Sequence, residues 1–93
     1  MTDPVQAAEK LALICWDFIS DHRVYGSLTD EQRDAIRAEA FRFSREVTPG
    51  DEWQTFHGRR LAGAVLAWGQ DPSPESWKAV ERASRLFEER RIS

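Results

Sequence analysis

Eight consecutive residues, Leu61-Ala62-Gly63-Ala64-Val65-Leu66-Ala67-Trp68, carry no charge and no hydrogen-bonding side chain except the indole of Trp68. Asp51 and Glu52 stand before this stretch as helix-start signals, and Gly69 closes it. A helix that is apolar all round has to be buried on most sides. Its small side chains let neighbouring backbones come close. The run therefore predicts a hub helix on which the rest of a small helical domain packs. A chain of 93 residues fits one domain and buries only about 60–65% of the surface its unfolded form exposes. The core is correspondingly small. Ten aromatic residues, four of them tryptophan, stand against six leucines. Aromatics, at about 150–250 Å² each, must supply much of that core, and their number leaves some for a partner surface.

Three further amphipathic segments surround the hub. Asp3 as N-cap, Pro4 at the first helical position and Gln6 in the first turn open a helix over residues 4–23. Its apolar face takes in Val5, Ala8, Leu11, Ala12, Ile14, Cys15, Trp16, Phe18 and Ile19, with Leu13 alone on the polar side and Gly26 as the stop. Thr29 with Gln32 fits a capping box for a helix over 30–47, whose buried stripe is Ile36, Ala40, Phe43 and Val47. Spacing suggests ion pairs Asp34–Arg37, Glu39–Arg42 and Arg42–Glu46 on its surface. Thr48-Pro49-Gly50 reads as a turn. The hub helix then spans 51–68, capped by Asp51 with Gln54 or else by Thr48, with Trp53, His57, Leu61, Ala64 and Trp68 on one face and Phe56 and Val65 beside them. Gly58 and Gly63 each cost it about 1 kcal/mol of helix propensity, for which close packing is the compensation. Ser73 caps a last helix over 74–91, with Trp77, Val80, Ala83 and Phe87 as its stripe and a charged end from Glu88 onward expected to fray. There is no strand alternation and no repeat. Four helices with short loops predict an all-α fold, a small antiparallel four-helix bundle.

Chemistry-bearing motifs are missing. The soft or imidazole ligands amount to Cys15, His22 and His57, without CxxC, HExxH or ExxH spacing, so no metal and no cofactor is expected. Cys15 falls on a buried face, where a thiol behaves as a small hydrophobe. The histidines read as core-edge residues, and no serine or cysteine is arranged with either as a nucleophile. The carboxylate clusters Asp30/Glu31/Asp34 and Asp51/Glu52 sit in first helical turns, where the helix dipole accounts for them. The expectation is a non-enzymatic chain. A net charge of −3 gives no field that favours nucleic acid. The pair of helices flanking Gly69 superficially resembles a helix-turn-helix. However, its second helix offers Glu75 and Lys78 where apolar packing residues belong. A small DNA-binding regulator using Lys78, Arg82 and Arg85 is the alternative reading. No stretch is long enough to span a membrane, Met1-Thr2-Asp3-Pro4 shows no basic n-region or cleavage site, so no signal peptide is expected, and the lone cysteine implies no oxidising compartment. A cytoplasmic location is expected.

One surface feature points to function. Arg33, Arg37, Phe41 and Arg45 recur at i, i+4, i+8 and i+12 along the second helix, turned away from the Ile36–Phe43 stripe. Arginine and aromatic residues are enriched at protein interfaces. The ridge is a candidate interface for a protein partner, or for a second copy in a homodimer. The other reading of the same pattern packs Phe41 under a neighbouring helix among ordinary solvated charges. By size, by an excess of arginine over lysine and by its tryptophan content, the chain resembles the small accessory proteins of actinobacterial bacteriophages. That resemblance implies an inhibitor of a host protein, in cell division, envelope growth or transcription. It assigns no site residue.

Overall fold

The computed structural model of the chain describes residues 3–48 and 50–92. Met1, Thr2, Pro49 and Ser93 lie outside them, and with Pro49 the centre of the turn expected at 48–50. The described residues form four helices: α1 (Pro4–Tyr25), α2 (Asp30–Glu46), α3 (Trp53–Gln70) and α4 (Pro74–Ile92). No helix is long and apolar enough to cross a membrane.

Local chemistry sets most of the boundaries. The Asp3 carboxylate accepts from the Val5 N–H at 2.9 Å, with Pro4 beginning the helix. At the other end of α1, Gly26 adopts φ 80° and donates its N–H to the His22 carbonyl at 2.8 Å. Only glycine takes that left-handed conformation without strain, so α1 runs on to Tyr25 before it stops. α2 opens with the reciprocal box. The Gln32 N–H donates to Thr29 Oγ1 at 3.1 Å, and the Thr29 N–H donates to Gln32 Oε1 at 2.9 Å. The Gln32 amide nitrogen then donates to Asp21 at 2.9 Å, which ties the cap to α1. α4 uses the same device with two serines, Ser73 and Ser76, each accepting from the other's N–H at 3.0 and 2.9 Å.

Three ends differ from the sequence reading. α3 starts at Trp53, and its N-cap Glu52 makes no side-chain capping bond, so neither Asp51 nor Thr48 serves. The buried Thr55 hydroxyl instead donates to the Glu52 carbonyl at 2.8 Å. α3 passes through Gly69 and stops at Gln70. α4 is helical to Ile92, one residue past the expected end, where Arg91 pairs with Glu88 at 3.9 Å and lies 5.5 Å over the Phe87 ring.

Cross-helix contacts give the directions. Lys10 pairs with Glu39 and Gln32 bonds Asp21, so α1 and α2 are antiparallel. Trp68 meets Trp77 and Trp53 meets Phe87, which makes α3 and α4 antiparallel. A Cβ on Gly58 would touch Phe43, and one on Gly69 would touch Arg37, which fixes α2 against α3 in the same sense. α3 borders all three other helices, and α1 does too, while α2 and α4 do not meet. The bundle is thus a diamond with α1 and α3 across its short diagonal. Extents of 35 × 28 × 18 Å fit that flattened section.

α3 is the hub, but its packing is not that of a helix buried all round. Gly63 and Ala67 are exposed, and the buried residues are Thr55, Gly58, Leu61, Ala62, Val65 and Trp68. Gly58 has its close approach: a Cβ there would lie 2.9 Å from both the Ala8 Cβ and Phe43 Cζ. Gly63 has none, with nothing within 4 Å. The α2 stripe Ile36, Ala40, Phe43 and Val47 is buried as expected. Of the suggested surface pairs only Arg42–Glu46 forms, at 3.2 Å, since Glu39 reaches across to Lys10. On α1, Leu13 is exposed as expected, but Trp16, assigned to the core face, is 44% exposed. On α4 the buried stripe includes Ser84, which the apolar pattern passes over.

Candidate protein interface

Phe41 of the α2 ridge does not take the packed position that one reading gave it. It is 54% exposed and lies under no neighbouring helix. Its ring carries the Arg45 guanidinium, whose carbon sits 5.6 Å from the ring centroid. A cation held over an exposed ring is worth about 0.5–1 kcal/mol, enough to bias Arg45 toward one pose without burying either group.

The ridge does not act as one row. Arg33, Arg37 and Arg45 are all exposed, yet they have different surroundings. Arg33 stands at the rim of a cavity at one end of the bundle. The Arg37 stem crosses Gly69, where a Cβ would meet its Nε at 2.6 Å. That places a cation beside the C-terminal end of α3, the negative pole of the helix dipole. Part of Arg37 is therefore structural. Phe41 and Arg45 remain as the free central pair.

A second pair on α3 escaped the sequence reading. Phe56 was placed beside the buried face but is 58% exposed, with the Arg60 guanidinium 5.9 Å from its centroid. Arg59 is exposed beside it. α2 and α3 are adjacent and antiparallel, so two Arg–Phe pairs stand on neighbouring helices. Arg60 itself lies in the groove between α3 and α4, with Ala79, Arg82 and Leu86. α3 contains no Asp or Glu from Trp53 to Gln70. Among the described residues, Arg33, Arg37, Arg45, Arg59 and Arg60 have no carboxylate within 4.0 Å. Exposed arginines and two exposed phenylalanines thus stand on α2 and α3, with the exposed Asp34 on the same stripe of α2 as Phe41. The signal available in the sequence was the missing acid of α3, not its hydrophobic pattern.

The remaining candidates sit elsewhere. Cys15 is fully buried, and burial pushes its thiol up to about 12. His57 is half-buried between Trp53 and Phe56, at 6.1 and 5.2 Å between ring centroids. Burial, with Arg60 and Arg90 nearby, holds it below its ordinary value of 6.5. His22 stacks on Trp77 at 4.7 Å. Among the described residues no three His, Cys, Asp or Glu side chains gather as a metal site. Comparison of the chain with protein-family models, with characterised proteins and with solved structures finds no significant match.

Proposed function

We propose that this chain is a non-enzymatic binding module that docks on an acidic surface of another protein through the Arg–Phe face of α2 and α3. The observation that carries the reading is Phe41, a large apolar ring left 54% exposed beneath the Arg45 guanidinium. Buried aromatic and arginine anchors dominate protein interfaces, and here both types are presented together, twice. Among the described residues these arginines have no carboxylate partner, so a partner that supplies carboxylates gains charge-assisted hydrogen bonds without breaking existing ones. The resemblance to phage accessory proteins would make that partner a bacterial host protein.

The test is affinity capture from nuclease-treated bacterial lysate, comparing wild type with the Phe41→Ala/Arg45→Ala double variant. The expected result is one protein enriched by wild type and lost with the variant. Protein captured only when nuclease is omitted, and released by competitor DNA, would instead support the nucleic-acid reading.

A further inference from the structure

A second exposed apolar surface lies on the side of the bundle away from α3. Leu13, Trp16 and Val24 face outward along α1 and are all exposed. With 44% of Trp16 open to solvent, its ring is itself available for contact. Ile92 of α4 joins them. Trp16 and Ile92 line one groove of 280 Å³ between α1 and α4, with Arg85 and Glu89 on its rim. Clustered apolar side chains with a polar rim mark interaction surfaces. The charges along α1 have a symmetric order about Trp16. Glu9 precedes it by seven residues and Arg23 follows it by seven. Seven residues make about two turns, so Glu9, Trp16 and Arg23 stand on one line with about 10 Å between neighbours. Asp17 lies off that line, about 100° round the helix. Glu9 and Arg23 are both exposed. Among the described residues Glu9 has no cation within 4.0 Å. Arg23 reaches Glu81 at 3.7 Å, but 59% of its side chain remains exposed and open to a second carboxylate.

We infer that the occupant of this face is a second copy of the chain, with α1 packed antiparallel on α1 and centred on Trp16. A two-fold axis beside Trp16 and perpendicular to α1 turns the line onto itself with its ends exchanged. Glu9 of each copy then meets Arg23 of the other, and the apolar side chains of both lie between the two pairs. An isologous contact requires such a self-complementary patch. A partner surface of one sign would set either Glu9 or Arg23 against its like, which is unfavourable. The reversed copy satisfies both. α3 lies across the short diagonal from α1, so the dimer leaves the Arg–Phe face of each copy uncovered.

The test is sedimentation equilibrium of the full chain at rising sub-millimolar concentrations, against a monomer mass of 10.7 kDa. Wild type moves toward twice that mass. Leu13→Glu, at an exposed position, keeps the helical circular dichroism of wild type and raises the dimer dissociation constant about tenfold or more. Glu9→Arg alone and Arg23→Glu alone each weaken the dimer, because like charges then meet across the axis. An equimolar mixture of those two variants regains the dimer mass, since every pair across the axis is again of opposite sign. The Phe41→Ala/Arg45→Ala variant dimerises as wild type does, so this face and the Arg–Phe face stand or fall separately. A wild type that stays monomeric throughout, a mixture no tighter than its components, or a dimer kept by Leu13→Glu and lost in Phe41→Ala/Arg45→Ala would overturn the assignment.

Discussion

Single residues carry opposite consequences that their identity does not announce. Gly58 and Gly63 lie in the same helix and cost it the same propensity. Gly58→Ala forces a Cβ against the Ala8 Cβ, which cannot swing away, and against Phe43. Overpacking of this kind costs about 1–3 kcal/mol, more than alanine returns, so the variant melts lower. Gly63→Ala meets nothing within 4 Å and should raise stability by about 0.5–1 kcal/mol. Denaturant midpoints of the two variants check both signs, and a stabilised Gly58→Ala would contradict the packing. Cys15, with its thiol pushed up to about 12, should resist alkylation in the native state and react once the chain is unfolded. His57 is held below 6.5 in the fold, so the unfolded chain takes up its proton first. Its contribution to stability is present above that value and is lost as pH falls through the folded value. Urea midpoints between neutral pH and about pH 5 should fall less steeply in His57→Gln than in wild type.

At the scale of the element, the caps are where sequence and structure agree most closely. Removing the hydroxyl in Thr29→Ala should cost about 1 kcal/mol, since it abandons the Gln32 N–H. α3 lacks any side-chain cap, so Glu52→Asp should stabilise it by a similar amount, read from thermal melts. Asp3-Pro4, Thr29 with Gln32, Gly26 and Ser73-Pro74 were legible because capping depends on residues within one turn of each other. The faces of α3 were not. Its wheel centres on Trp53, His57, Leu61, Ala64 and Trp68, but the close approach to α1 and α2 is made at Gly58, against Ala8 and Phe43. Close approach of three helices selects small side chains, so hydrophobicity misjudges the buried direction and sends Phe56 inward when it faces out. Trp16 fails for a related reason. α1 borders three helices with an apolar arc broader than their footprint, and the arc's edge remains exposed. The α2 ridge was legible as a pattern, but its division into a structural Arg37 and a free Phe41–Arg45 pair depends on where Gly69 of another helix falls.

The whole molecule has a radius of gyration of 12.3 Å, about what a compact chain of this length should show. The core centres on Leu61, fully buried where α3 meets the rest. Leu61→Asp places an unpaired charge there and should abolish cooperative unfolding, as seen by circular dichroism. The Arg–Phe face adds nothing to that core, and this separation of folding from binding is the central claim. The direct measurement is paired: the melting temperature of the Phe41→Ala/Arg45→Ala variant, and calorimetric titration of the same variant with the protein that wild type captures. Stability within about 0.5 kcal/mol of wild type, with binding weakened by about 2 kcal/mol or more, is the predicted result. A large fall in melting temperature, or unchanged affinity at unchanged stability, would contradict it.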